Sequence, residues 1–320
     1  MSRRSGRKER RARKVARATS HGSGRQRPGY GALHAWFVAP VPIARLEALR
    51  ILLPLCILGF MSSRLVHADY WIGDAGFFVP DLGGEWRQPL YLPRLPAWGA
   101  FALAGTMVLS GLSLSAGLLT RYAAGVFGFT LAWVSLADRL AAFTVSKLGT
   151  VLIVALALGP AGARYGVDAW LRRRRATPSD PPSHVSGPVM RFFQLTLVVM
   201  YFSSGVCKAR NDWLTTPAVL WTHLHGSYQT AVTYFLANLL PGWSWTALQA
   251  ITLLFEALAP LWFGIRRTRP YALAWGLAMH AMIGLMFGPV IWFSLLMATL
   301  LLAGFGPRSW LERTVGRLPG

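Results

Sequence analysis

The sequence predicts an all-α protein: a polytopic bundle of about eight transmembrane helices. Three observations predict it. First, only 14% of the 320 residues are charged while 53% are hydrophobic, against roughly 25% charged in soluble domains. Second, long stretches carry no Asp, Glu, Lys or Arg. They are 97–120, 148–163 and 271–307, and in the last of these His280 is the one group that titrates near neutrality. About 20 apolar residues cross a ~30 Å hydrocarbon core, and a soluble helix rarely needs apolar residues on every face. Third, the large basic clusters fall on alternate connections only, as repeated crossing of a bilayer demands.

The chain opens on a basic arm. Residues 1–28 hold eleven Lys or Arg against the single acid Glu9. With almost no large apolar residue, this arm is expected to be disordered. Such arms bind nucleic acid or anionic lipid; the preferred reading is a cytoplasmic tail that orients the first span, with no nucleic-acid partner. No short apolar core with a small-residue cleavage site follows, so it does not read as a cleaved signal. The division expected is an arm at 1–28, a membrane domain at 29–307 and a short cytoplasmic tail at 308–320.

Spans are expected at about 44–63, 97–119, 122–142, 147–163, 190–208, 243–264, 270–288 and 289–306. The last two are separated at Gly288-Pro289, because proline breaks the helical ladder and 270–306 is too long for one crossing. With the N-terminus inside, the inner connections carry Arg121, then Arg172 to Arg175, then Arg266, Arg267 and Arg269, and the tail carries Arg308, Arg313 and Arg317. The outer segment 64–96 holds Asp69, Asp74, Asp81 and Glu85 against three arginines. Eight spans with both ends cytoplasmic, in the cell membrane, satisfy this pattern; seven or nine would scatter it. Segment 209–242 is too polar to span. Its Trp213, Trp221 and Tyr228, with Trp243 and Trp245 just beyond, suit an interfacial belt, with an amphipathic helix over the outer mouth.

Charged residues inside spans mark candidate sites, since each costs ~2.5–3.5 kcal/mol at a helix centre. Lys208 ends the fifth span, where it either snorkels and pairs with Asp212 or serves a site. Glu256 lies mid-span in the sixth and must be protonated or paired. His280 sits in the outer half of the seventh. Asp138, Arg139 and Lys147 flank another outer turn. The map therefore places an outward-facing polar cavity, lined by Lys208 and His280, under the roof of 209–242. Metal binding is not expected: His223 and His225 fall on opposite sides of a helix, and Cys56 and Cys207 form no Cys-x-x-Cys or disulfide signature. Phosphate-cradling glycine loops and hydrolase or zincin motifs are missing from the sequence.

The run YFSSGVCKARNDW at 201–213, preceded by Arg191 and Gln194, resembles the lysine segment of the vitamin K-dependent gamma-carboxylase family, which shares its membrane portion with the bacterial HTTM proteins. The resemblance extends to ARLEALRILLPLCILGFM at 44–61, HADYWIGDAG at 67–76, GLLTR at 117–121 and YGVD at 165–168, in family order, and covers about 43–306. Glu256 falls where the family has an acid and His280 on a family histidine. The resemblance implies Lys208 and His280 as catalytic residues. It implies Glu256, Arg191 and Gln194 as contacts to a reduced, vitamin K-like quinone, and a peptide or small protein as substrate at the outer face. There are two departures. The carboxylases carry Asn-Asn-His-Ser-Tyr where this chain has Phe143-Thr-Val-Ser-Lys147, so their histidine is Val145 here. The 320 residues also hold no counterpart of the carboxylases' large soluble domain. Two readings stand: a quinol-dependent, carboxylase-like enzyme, or a non-enzymatic binding, immunity or assembly subunit on the same scaffold.

Overall fold

The computed structural model describes residues 28–76, 92, 94–137, 144–175, 182–215, 219–226 and 228–315. The basic arm up to residue 27, the acids Asp81 and Glu85, and Asp138 and Arg139 lie outside these. By its contacts the chain divides after Ala39. The first unit contains the helix α1, Pro28–Val38.

The second unit is helical almost throughout. The helices are α2 (Ile43–Val66), α3 (Ala68–Trp71), α4 (Ala97–Ala116), α5 (Thr120–Ala137), α6 (Thr144–Ala157), α7 (Val167–Arg175) and α8 (Pro188–Arg210). They continue with α9 (Val219–Leu224), α10 (Ala231–Leu239), α11 (Gly242–Ala257), α12 (Ala259–Gly264), α13 (Arg269–Met286), α14 (Ile291–Phe305) and α15 (Arg308–Val315). Helix covers most of each expected span, although 138–142 of the third lie outside the described residues and 158–163 of the fourth are turns, and the break expected at Gly288-Pro289 is a turn of 3-10 helix at Gly288–Val290. The sixth is not continuous, because α11 ends at Ala257 and α12 begins at Ala259.

The all-α fold is therefore as expected, while length and composition alone support fewer crossings. Among the described residues, three helices are long and apolar enough to cross a membrane: Ala97–Ala116, Pro188–Arg210 and Gly288–Phe305. Less than half of each is buried inside the molecule. Leu109, Phe129, Val154, Val199 and Leu285 point outward. Apolar side chains exposed in such numbers on neighbouring helices form a surface for lipid, not for water.

α2 sits at the centre and packs on α4, α6 and α14. α4, α5 and α6 follow each other on one side, while α8 packs on α11, α12 and α14 on the other. Leu46, Leu49, Leu53, Ile57 and Met61 of α2 are fully enclosed. A two-residue ladder, β1 (Val41–Pro42) against β2 (His184–Val185), ties the start of α2 to the start of α8.

One end of the bundle is locked by buried charge. Glu47 and Arg50, both almost wholly enclosed, pair at 2.8 Å. Glu47 accepts from the Gly162 and Arg164 N–H groups, and Arg50 donates to the Leu114, Ser115 and Tyr165 carbonyls. The last carbonyls of α4 and the backbone of the turn that follows α6 thus find their partners on α2. Gly117 allows this: its φ of +73° ends α4, and a Cβ there would meet the Arg50 guanidinium at 2.7 Å. Asp168 completes the lock by accepting from the Leu119 and Thr120 N–H groups and the Thr120 hydroxyl at the start of α5. Burial opposes its charge, but these hydrogen bonds and Arg172 outweigh it and hold the carboxyl below the ordinary carboxylate range.

Candidate functional site

Lys208 lies at the far end of α8 from this lock. Tyr201, Ser204, Gly205 and Lys208 recur at i, i+3, i+4 and i+7, so they form one stripe of α8. Gly205 sets how closely that stripe approaches its neighbours. A Cβ there would lie 2.5 Å from the Ala257 nitrogen and 2.9 Å from the Glu256 carbonyl carbon, so backbone meets backbone only because no side chain intervenes. The α11–α12 break falls at the same level. Pro260 removes the N–H that would return to the Glu256 carbonyl four residues earlier, and the chain bends at Leu258.

The result is a pair. Lys208 Nζ lies 2.5 Å from Glu256 Oε2 and donates to Ser204 Oγ at 2.8 Å. The Glu256 side chain is 9% exposed and the Lys208 side chain 21%, so the acid is nearly enclosed while part of the lysine side chain stays open. The ammonium also stands 5.2 Å from the Trp213 ring centroid. Asp212, the neighbour expected as an alternative partner, is exposed and does not bond Lys208.

His280 of α13 is buried against the same stripe at Tyr201, two helical turns below Lys208. Its Nε2 is 2.7 Å from the Tyr201 hydroxyl, and its Nδ1 is enclosed with no hydrogen-bond partner. Phe255 meets Tyr201 edge-on at 5.1 Å and Phe263 stacks on it at 6.3 Å. Lys208–Glu256 and Tyr201–His280 are therefore separate polar pairs, about 10 Å apart by helical rise, with an aromatic wall around the lower one. Lys208 and His280 both meet one stripe of α8, Lys208 as a member and His280 through Tyr201, without bonding each other.

Described residues of 209–242 bond to the neighbouring ends of α11 and α13. Trp213 Nε1 donates to the Gln249 carbonyl at 2.8 Å, and the Gln249 side chain returns bonds to the Trp213 carbonyl and the Leu220 N–H. Thr230 and Thr233 donate to the last carbonyls of α13 at Leu285 and Met286. Two short helices, α9 and α10, replace the single amphipathic helix expected here. Residues 216–218 and 227 lie outside the described ones. His223 and His225 each bond a carbonyl of α9, at Val219 and Trp221. Among the described residues no group of three His, Cys, Asp or Glu could hold a metal.

Arg191 and Gln194 are not at this site. They lie near the start of α8, about 25 Å from Lys208 by helical rise. Arg191 donates to Gln194 Oε1 at 2.8 Å, and Gln194 donates to the Gly304 carbonyl at 2.5 Å. Lys147 is exposed on α6, and Val145 is 2% exposed in the core. Sequence reasoning passed over Tyr201, Gly205 and Gln249. The signals were present: Tyr201 and Gly205 share the Lys208 stripe by spacing, and Pro260 follows Glu256 at the interval that opens a helix.

No curated protein and no solved structure matches the chain. The family model of the HTTM domain matches residues 38–310. That span runs from the entry to α2 into α15 and takes in both polar pairs and the buried lock, so the chain belongs to the HTTM-domain family of membrane proteins.

Proposed function

We propose that the Lys208–Glu256 pair is a proton-accepting site for the hydroxyl of a lipid-soluble ring compound, a reduced quinone being the one the family resemblance implies. The observation that carries this is the asymmetry of the pair: a nearly enclosed acid touching a partly open lysine, beside Trp213 and above the aromatic wall of Tyr201, Phe255 and Phe263. Such a setting fits a flat apolar ring that ends in a hydroxyl.

The chemistry follows from the 2.5 Å contact. An ammonium cannot take a proton, but Lys208 can hand one to Glu256 Oε2 while Nζ receives the substrate's hydroxyl proton. Afterwards Glu256 is a neutral acid, Lys208 is again an ammonium, and the oxygen that lost its proton stands beside that ammonium. Glu256 is the proton sink and Lys208 the group that touches substrate. Low local dielectric strengthens the charge pairing at the end of the step. His280, held through Tyr201, has one ring nitrogen left for a ligand.

In this reading all eight spans cross the cell membrane, both ends are cytoplasmic, and Lys208 faces outward under 209–242. The one-sided arginine clusters support that orientation. A full carboxylase-like reaction would add a peptide or small protein substrate at the outer face. Val145 favours the second reading, a binding, immunity or assembly subunit, because an enclosed valine stands where the carboxylases carry a histidine. Mass spectrometry of lipids extracted from purified wild-type protein and from Lys208→Met separates the two. Enrichment of a quinone in the wild type over the variant supports the proton-accepting site; equal, background levels in both leave the binding subunit.

A further inference from the structure

The second polar cluster, at the opposite end of α8, has its own chemistry. Arg45 of α2, Arg191 of α8 and Arg269 of α13 meet around one cavity of about 230 Å³, with Gln194 beside them. Its remaining described lining is Pro40, Val41, Pro42, Gly304 and Phe305, with no carboxylate among these described residues. All three arginines are half-buried. Like charges converging in a partly desolvated cavity repel one another, and an anion bound among them would relieve that repulsion.

The arginines are also fixed in place. Arg45 donates to the Ala303 and Gly306 carbonyls at 2.6 and 2.8 Å, at the end of α14. Arg269 donates to the Phe263 and Gly264 carbonyls at 2.7 and 3.2 Å, at the end of α12. Each guanidinium has five N–H donors, so Arg45 and Arg269 keep donors beyond those bonds. Gln194 is oriented by Gly304 and Arg191. Such side chains are held before any ligand arrives, and little ordering entropy remains to be lost on binding. The cavity also lies where α2, α8 and α13 begin. None of these helices has an acid in its first turn, so their positive dipole ends add to the same field.

We propose that this cavity binds a phosphate ester through Arg45, Arg191 and Arg269, with Gln194 as a neutral donor and the ester's carbon chain leaving past Phe305 and the proline edge. Planar guanidiniums match phosphate oxygens in pairs, and three of them neutralise a group that carries one or two charges. The phosphate can come from the headgroup of an anionic lipid or from a soluble phosphate. This site stands apart from the Lys208–Glu256 proposal and does not depend on it.

The test is ligand binding to purified protein in uncharged detergent, read by native mass spectrometry and thermal shift. The probes are a short-chain phosphatidylglycerol, a short-chain diacylglycerol and inorganic phosphate. Saturable binding of phosphatidylglycerol, with none of diacylglycerol or inorganic phosphate, identifies a lipid headgroup site. Saturable binding of inorganic phosphate as well identifies a site for free phosphate. In either case Arg191→Gln should weaken binding by about tenfold or more, and Arg191→Lys should restore part of it. Lys208→Met should bind as the wild type does, so failure of the proton-accepting site leaves this result intact. Absence of saturable binding by the wild type, which needs no variant to fold, overturns the proposal. So does binding that Arg191→Gln retains in full, since it would come from other basic residues.

Discussion

Lys208 and Glu256 show how one residue can matter to both stability and chemistry. Removing one member of an enclosed ion pair leaves the other charge unpaired and typically destabilises by about 3–5 kcal/mol, whereas removing both for apolar groups is often neutral. Glu256→Leu and Lys208→Met should each lower the thermal midpoint in detergent, and the double variant should recover most of the loss. If the singles act independently and their effects simply add, the pair is not coupled as the 2.5 Å contact requires. The two residues were legible in the sequence as costly charges in apolar helices, but their pairing was not. Asp212 was the nearer partner along the chain, and only the close approach at Gly205, with the bend at Pro260, brings Glu256 within reach. The grouping of Arg191 and Gln194 with them rested on motif order, and a straight helix separates them.

Individual elements were legible where a single cause set them. Charge-free length marked α4, α6, α13 and α14, and Gly288-Pro289 marked the turn before α14. The break between α11 and α12 is hidden in the sequence because 243–264 reads as one apolar run, and Pro260 shows its effect only through the carbonyl of Glu256 four residues earlier. The buried lock was missed for a related reason: Glu47 and Arg50 look like an ordinary i, i+3 surface pair, and only the glycine-rich ends around Gly117 and Gly162 enclose them. Two predictions belong to this scale. Gln249→Ala removes the side-chain bonds that hold Trp213 and Leu220, so amide hydrogen exchange across 211–224 should rise while the core of α8 stays protected. Unchanged exchange there would mean that packing of Leu224 and Trp245 suffices. Asp168 gives a pH dependence. Its folded carboxyl titrates below the ordinary value of ~3.9, so its contribution is complete above that value and fades as pH falls through the lower folded one. Wild-type protein should therefore lose thermal stability on acidification below about pH 4, and Asp168→Asn should lose less over the same interval.

For the whole molecule, the all-α class was written in composition, whereas the number of crossings was not. Charge in α2, the bend in the sixth segment and the short α6 keep several helices below the length and hydropathy of a free-standing span. In a bundle they need not meet it, because neighbours cover their polar faces. Reporter fusions at Trp170 and Gly226 test the eight-crossing arrangement: they should report opposite sides of the membrane, and a common side would overturn it. The proton-accepting role of Lys208 and Glu256 is tested most directly by mixing purified protein, without oxygen, with a reduced naphthoquinone and following the absorbance of its ionised hydroxyl near neutral pH. Wild-type protein should produce a stoichiometric, saturable ionised fraction that Lys208→Met and Lys208→Arg both lack, since an arginine keeps the charge but cannot relay a proton. A wild-type spectrum no different from that of detergent alone, or an ionised fraction that survives in Lys208→Arg, would contradict it.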